Sequence, residues 1–159
     1  MSEEVDVKES LFDRLVGVWT LTAAEFAEHG GERSYPLGKD PVGLLIYSSC
    51  GVMAAQVVKR ERDRFRSGDQ FNASDAEIKA AFESYAAYFG RFTVDELECS
   101  VTHHVEGSLF PNWERGSQKR FVELTGNKLT LQSPPVQAAG KLITGRLTWQ
   151  RVSDDSATS

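Results

Sequence analysis

Two adjacent histidines, His103 and His104, are the residues of this chain best suited to transfer a proton or to hydrogen-bond a small molecule. They lie in the segment SVTHHVEGSLFPNW, residues 100–113. The first half of this segment alternates apolar and polar residues, which is typical of a half-buried β-strand. Because successive side chains of a strand leave on opposite faces, only one of the two imidazoles can point to the interior.

The inward histidine depends on which face of the strand is buried. If Val101 and Val105 mark the interior, His103 points inward. If the interior is polar, His104 and Glu106 line it instead, with an imidazole and a carboxylate about 7 Å apart along one face. A simpler interpretation is that one histidine is buried and hydrogen-bonded while the other is exposed. These alternatives stay open at the level of the sequence.

Arg120 is the next candidate for the site. The strand predicted over residues 118–124 places Arg120 on the inward face with Val122, opposite a charged outer face. A buried guanidinium requires an anion. We expect a carboxylate of the protein, such as Glu25 or Glu106, to supply it, and an anionic ligand is the alternative.

The residues after the histidine strand are apolar, which is unusual for a solvated turn. The segment LFPNW, residues 109–113, therefore indicates a lid over the interior, in which Phe110, Asn112 and Trp113 line or cap the opening. Tyr47 and Tyr88 can each present a phenol to a ligand carbonyl. The alternative is ordinary packing with one hydrogen bond, which is what buried tyrosines usually do.

These residues must be positioned by a sheet, since the chain is mostly a series of short alternating segments separated by turn residues. About eight strands are predicted, most with short connections, and such a series favours a closed barrel that holds side chains or one small ligand.

One segment has a helical period instead. Ser74 with Glu77 predicts a capping box, and Gly90 is expected to end a helix of about four turns that packs against the sheet. Its apolar face carries Ile78, Ala81, Phe82, Tyr85 and Phe89.

Composition limits the function. The 159 residues carry a formal net charge of −5, and the basic segment 59–66 is interrupted by acids, which argues against nucleic acid as a partner. That segment is predicted to be a solvated strand end that runs into a loop. No secretory signal or membrane-spanning apolar run is found, so a cytoplasmic protein without a membrane partner is expected.

Other chemistries lack their motifs. Cys50 and Cys99 are predicted to be free thiols, because nothing indicates a disulfide framework and neither lies at zinc-ligand spacing. A glycine-rich phosphate loop and a G-x-S-x-G nucleophile elbow are also missing. We therefore predict no cofactor and no metal ion. One domain is expected over residues 11–152, between a flexible N-terminus at 1–10 and a disordered tail at 153–159.

Several motifs together resemble one known family. Gly17-Val18-Trp19 at the start of the first strand and Arg151 at the end of the last are similar to the lipocalin signature. Further matches are Pro36-Leu37-Gly38, PVGLLIY at 41–47, Tyr88-Phe89-Gly90 and THHVEGSLFPNW at 102–113. The chain resembles the bacterial and fungal lipocalin-like domain family from about Leu11 to Arg151.

That resemblance implies a calycin-type up-and-down barrel whose floor is closed by Trp19, with Arg151 packed over the indole ring. Members of the family largely lack an assigned activity, and some are encoded among genes of small-molecule metabolism. The inserted helix and the lack of a signal peptide depart from secreted lipocalins, so transport through an extracellular fluid is not implied.

Three functions follow as hypotheses. The first is binding of a small, largely apolar organic molecule inside the barrel. The second is a cofactor-independent isomerase, cyclase or lyase in which a histidine moves a proton and Arg120 or a tyrosine stabilises an oxyanion. The third is a structural or interaction module with a filled barrel. A homodimer is one alternative for the oligomeric state, which the sequence does not decide.

Overall fold

The computed structural model describes residues 8–29 and 31–153. The flexible N-terminus and the disordered tail expected from the sequence lie outside the described residues, apart from residues 8–10 and 153. The described chain forms α1 Leu11–Leu15, β1 Gly17–Glu28, β2 Arg33–Ser34, β3 Val42–Tyr47, β4 Val52–Val58, α2 Asp75–Glu83, β5 Tyr85–Asp95, β6 Ser100–Ser108, a 3-10 turn Pro111–Trp113, β7 Ser117–Thr125, β8 Lys128–Gln132, β9 Val136–Ala138 and β10 Lys141–Arg151.

Eight of these strands close into an antiparallel barrel. The order β1-β3-β4-β5-β6-β7-β8-β10 is sequential, and pairing of β1 with β10 closes the ring. The predicted up-and-down barrel of about eight strands is therefore confirmed. The short strands β2 and β9 extend the edges of β1 and β10, in segments for which the sequence predicts no strand.

The core of the barrel is concentrated at one end. Inward positions there carry the two buried tryptophans Trp19 and Trp149 together with Leu45 and Leu129, and Leu15 of α1 packs against them. Alternation of buried and exposed residues along each strand produces this arrangement, since one face of every barrel strand points inward. We call the end closed by α1 the floor and the opposite end the mouth.

Arg151 and Trp19 close the floor, as the family resemblance implies. The guanidinium carbon of Arg151 lies 4.2 Å from the Trp19 ring centroid. Its Nη1 donates to the Val16 carbonyl at 2.8 Å and its Nη2 to the Arg14 carbonyl at 2.5 Å. The Trp19 Nε1 donates to the Leu15 carbonyl at 2.9 Å. One cation thus joins the last strand to the segment that enters the first.

Helix α1 seals the floor from below. Phe12 stacks on Phe92 with ring centroids 5.0 Å apart, and Phe92 in turn contacts the Tyr47 ring at 4.7 Å. The Glu96 carboxylate, in the turn after β5, accepts a hydrogen bond from the Leu11 backbone N–H at 2.8 Å. A carboxylate at a helix N-terminus satisfies donors that the helix itself leaves free. The helix is therefore tied to the barrel by both packing and a cap.

Helix α2 is shorter than the sequence predicts. The capping box of Ser74 and Glu77 is confirmed, but the helix ends at Glu83. Residues 85–90 belong to β5, because pairing with β4 over Val58 to Met53 satisfies their backbone groups. The prediction that the apolar face of the helix packs against the sheet is also wrong. Ile78 and Phe82 are 51% and 43% exposed, and no residue of α2 is buried.

The remaining expectations concern the surface. Residues 59–66, after β4, form an irregular and mostly exposed segment, as predicted. Cys50 and Cys99 are exposed free thiols. Neither α1 nor α2 has the length and apolar character that crossing a bilayer requires, which is a statement about residues 8–29 and 31–153 alone.

Candidate functional site

A cavity of about 680 Å³ lies between the core and the mouth. Volumes of this size are typical of small-molecule sites. Its wall is mostly apolar, with side chains such as Phe26, Val57, Leu131 and Leu147 contributed by four different strands. Polar groups enter the wall chiefly from the adjacent strands β5, β6 and β7. The barrel is therefore not filled by its own side chains.

His103 is the histidine that faces the interior. It is 1% exposed and lies between the buried side chains of Val101 and Val105. His104 faces outward, where its ring nitrogens contact the hydroxyls of Thr93 and Ser117 at 2.8 and 3.3 Å. The apolar face of β6 thus marks the interior, and the first of the two sequence alternatives is the one that the structure shows.

Glu106 also lies on the outer surface. Its carboxylate is 3.8 Å from the Arg91 guanidinium, and both side chains are more than half exposed. Neither Glu106 nor His104 lines the cavity. The arrangement in which an imidazole and a carboxylate flank a ligand along one strand face therefore does not form.

Two phenols hold the His103 ring. The Tyr47 hydroxyl of β3 lies 2.5 Å from Nε2, and the Tyr88 hydroxyl of β5 lies 2.6 Å from Nδ1. Tyr47 is 1% exposed and lies toward the floor, whereas Tyr88 borders the cavity. The three side chains form a hydrogen-bonded chain that runs from the core to the cavity wall. We call these three residues and Arg120 the polar cluster.

The polar cluster has one protonation state near neutral pH. Burial, together with the electrostatic effect of Arg120 and His104, lowers the pKa of His103 to about 3. Burial raises the pKa of Tyr47 well above its ordinary value and also raises that of Tyr88. The imidazole is therefore neutral and both phenols keep their protons, which leaves Arg120 as the charged member.

Arg120 lines the cavity next to this chain. Its Nη1 donates to the Lys119 carbonyl at 2.7 Å, and its Nη2 donates to the Gln118 side-chain oxygen at 3.0 Å. The prediction that Glu25 or Glu106 pairs with Arg120 is wrong, because these two carboxylates pair with other arginines. Across the described residues, no carboxylate forms an ion pair with Arg120. Its charge is therefore available to a ligand.

The loop after β6 lies over the mouth. Trp113 meets the edge of Tyr88 at 5.9 Å and the edge of Phe110 at 5.5 Å, measured between ring centroids. A hydrogen bond from the Leu109 N–H to the Ala87 carbonyl, 2.8 Å long, holds the loop on β5. Phe110 and Trp113 line the cavity, while Asn112 is exposed and does not line it.

Gln118 and Trp149 are two of the cavity residues that the sequence does not predict as site residues. Gln118 shares the inward face of β7 with Arg120, and that shared period of two could have found it. Trp149 lines the cavity from β10, and its buried Nε1 has no hydrogen-bond partner within the described part of the chain. Among those same residues, no group of three or more His, Cys, Asp or Glu side chains could hold a metal ion.

Comparison with known proteins agrees with this architecture. Residues 16–152 match the family described as lipocalin-like domain. The chain is also 32% identical over 107 residues to the 4'-hydroxy-3'-methoxypropiophenone carrier protein ppsC of Aspergillus oryzae, an alignment that covers 63% of this chain and 96% of that relative. The closed barrel and these matches together show that the chain belongs to the lipocalin-like domain family.

Proposed function

We propose that this protein is a carrier that holds a small, largely apolar organic molecule inside its barrel. The observation that carries the proposal is the cavity of about 680 Å³, apolar on most sides, with Tyr88, His103 and Arg120 in its wall. A site of this kind combines apolar contact area with a few polar groups that fix the ligand's orientation. The carrier named among the relatives supports the same function.

Apolar burial would supply most of the affinity. An aromatic ring buries about 150–250 Å², which corresponds to roughly 4–6 kcal/mol at about 25 cal/mol per Å². Loss of translational and rotational freedom offsets part of that gain. We therefore expect a ligand with at least one ring, whose single polar end contacts the polar cluster.

The name of the Aspergillus relative offers the first ligand to test. It describes an aryl ketone that also bears a hydroxyl and a methoxy group. A ring of that size fits a cavity of about 680 Å³, and its oxygens are suited to the hydrogen-bond donors of Tyr88 and Arg120. We propose aryl ketones and related phenols as the candidate ligand class.

A displacement assay tests the carrier function. N-phenyl-1-naphthylamine, a neutral apolar fluorophore, should gain fluorescence in the cavity and lose it when 4'-hydroxy-3'-methoxypropiophenone is added. Ala86 lines the cavity and Ala87 does not, although they are neighbours on β5. The variant Ala86→Trp should abolish the signal, whereas Ala87→Trp should keep it. No signal with the wild-type protein, or equal loss in both variants, would contradict a ligand site in the barrel.

A second candidate function is proton transfer to a bound substrate. The Tyr47–His103–Tyr88 chain favours it, since such a chain can carry a proton between the core and the cavity. Both ring nitrogens of His103 already contact phenols, so the group that would meet the substrate is Tyr88. A Tyr88→Phe variant that binds the ligand but no longer converts it would support this isomerase, cyclase or lyase. If the wild-type protein leaves the ligand unchanged after long incubation, proton transfer is contradicted and only the carrier function remains.

A further inference from the structure

We propose that the polar cluster selects ligands by an anionic oxygen, so that a weakly acidic phenol or enol is bound in its ionised form. This inference rests on the proposed function, because it concerns what the same cavity holds. It follows from the direction of the hydrogen bonds in the polar cluster and from the charge that the cavity wall carries.

The hydrogen bonds of His103 fix its tautomer. A neutral imidazole has one N–H donor and one acceptor nitrogen. The Tyr47 hydroxyl is buried, and within the described residues Nε2 of His103 is its hydrogen-bond partner. If Nε2 carried the proton, the Tyr47 O–H would be left without an acceptor, at a cost of about 1–3 kcal/mol. The Tyr47 O–H therefore donates to Nε2, and the imidazole proton lies on Nδ1.

This tautomer decides the direction in which the Tyr88 hydroxyl donates its hydrogen bond. With the proton on Nδ1, His103 donates to the Tyr88 oxygen at 2.6 Å. Tyr88 has then received its hydrogen bond and must use its own O–H as a donor elsewhere. Since Tyr88 borders the cavity, that O–H is available to a ligand. The chain from Tyr47 to Tyr88 thus presents a donor, and a ligand atom that meets it must be an acceptor.

The charge of Arg120 also favours an anionic ligand atom. A guanidinium has five N–H donors, and two hydrogen bonds, to Lys119 and Gln118, are formed in the structure. Both accepting oxygens are neutral, so they do not compensate the charge. An unpaired cation in a largely apolar wall is costly unless an anion meets it. Donors from Arg120 and Tyr88 therefore converge on one kind of ligand atom, an oxygen with negative charge.

No other wall group competes for that role. Among the described residues that line the cavity, Glu83 is the only carboxylate. It lies at the end of α2, its side chain is 62% exposed, and it is 3.9 Å from Lys79. The phenol of Tyr85 is hydrogen-bonded to Gln56. The lining residues of β1, β4, β8 and β10 carry no ionisable side chain. Within the polar cluster, Arg120 is therefore the one charge that a ligand meets.

A matched pair of probes tests the inference on the full chain. 4-Nitrophenol and 4-nitroanisole have similar size, but only the phenol can ionise, and its ionisation is followed by visible absorbance. Hydrogen bonds to an ionised acceptor are about twice as strong as neutral ones. We expect the apparent pKa of bound 4-nitrophenol to fall by about one unit, and the phenolate to bind roughly ten-fold more tightly than 4-nitroanisole.

Two variants and one control locate the effect. Arg120→Met should remove the pKa shift of the bound phenol while 4-nitroanisole still binds, which also shows that the variant is folded. Tyr88→Phe should reduce the shift in the same way. Arg146 lies outside the cavity and pairs with Glu123 at 3.0 Å, so Arg146→Met should leave the shift unchanged. A shift that survives Arg120→Met overturns the inference.

The naphthylamine fluorophore separates this inference from the proposed function. If the fluorophore binds and the two nitro compounds bind equally well, or not at all, the preference for an anionic oxygen is overturned and the carrier proposal stands. If none of the three compounds binds, both proposals are overturned. A lowered pKa of bound 4-nitrophenol that requires Arg120 supports both.

Discussion

His103 shows how a barrel interior fixes the state of a single side chain. The ring is 1% exposed, and each of its nitrogens contacts a tyrosine hydroxyl. Because burial lowers its pKa to about 3, the residue is neutral at every physiological pH. It therefore acts as a fixed link between Tyr47 and Tyr88, and any change of charge in the cavity must come from the ligand.

The pH dependence of stability should report this state. An unfolded chain binds a proton at His103 near pH 6.5, whereas the folded chain does so near pH 3, so the contribution of His103 to folding falls as the pH drops through that window. The wild-type protein should be more stable than His103→Gln at pH 7. We expect this difference in unfolding free energy to shrink by about 2 kcal/mol at pH 5.

Urea denaturation at several pH values measures that difference. His104→Gln is the matched control, because His104 lies on the outer surface of the same strand. Because this variant still carries His103, it should still lose stability as the pH falls from 7 to 5. A constant difference between wild type and His103→Gln over that range would show that His103 titrates normally in the folded state.

The sequence predicts the inward face of β6 only after one assumption, that the valines mark the interior. It does not predict the partners of His103. Tyr47 and His103 are 56 positions apart, and their contact depends on the curvature and closure of the barrel. Local patterns carry no information about such a pair, because the period of two gives a face and not a neighbour across the interior. The missing carboxylate at Arg120 is unpredictable for the same reason.

At the scale of elements, the floor depends on a glycine. Gly17 begins β1 with φ +145°, and a Cβ there would lie 2.5 Å from Nη1 of Arg151. Gly17→Ala should therefore displace the guanidinium from Trp19 and strain the backbone, at a cost of about 1–3 kcal/mol in unfolding free energy. Chemical denaturation measures it, with Gly68→Ala as a control, because a Cβ at Gly68 meets open space.

A double-mutant cycle separates the two causes. In a chain that already carries Arg151→Ala, the Gly17→Ala change should cost less, since the guanidinium that it would meet is gone. Equal costs in the two backgrounds would assign the whole effect to the backbone conformation and none to the contact with Arg151.

Helix α2 should behave as a separate local unit. Its cap is formed by Ser74 and Glu77, while none of its residues is buried. Ser74→Ala removes the cap, worth about 1 kcal/mol, and should speed amide hydrogen exchange in residues 75–83. The urea midpoint of the barrel should stay unchanged. A large fall in that midpoint would mean that the helix supports the fold as a whole.

The end of this helix illustrates a limit of sequence patterns. Tyr85 and Phe89 continue the helical spacing of Ile78 and Phe82, so the pattern extends the helix to Gly90. In the structure, the same residues pair with β4. A short aromatic segment fits either period, and the available edge of a neighbouring strand decides between them. The capping box was predictable because it is local.

At the scale of the whole molecule, the fold was the most predictable feature. Alternating segments with short turns predict a barrel, and sequential pairing with closure of β1 on β10 follows from that pattern. The cavity was not predictable in volume or shape, because both depend on how large the inward side chains are at each level of the barrel.

Ligand binding should stabilise the molecule as a whole. A ligand that binds only the folded barrel adds about 2.7 kcal/mol at one hundred times its dissociation constant. The thermal midpoint should therefore rise steadily with the concentration of 4'-hydroxy-3'-methoxypropiophenone in differential scanning fluorimetry. Ala86→Trp should remove the rise and Ala87→Trp should keep it. A midpoint that does not respond to the ligand in the wild-type protein would contradict binding to the folded state.

The sealed floor has a kinetic consequence. Helix α1, Phe12 and the Arg151–Trp19 contact close one end of the barrel. A ligand would therefore enter and leave through the mouth, past Phe110 and Trp113. In the proposed complex the polar end of the ligand contacts the polar cluster, so this end would enter first and leave last. Entry and release would then both depend on passage through the mouth. A carrier of this shape would therefore release its ligand with the apolar end first.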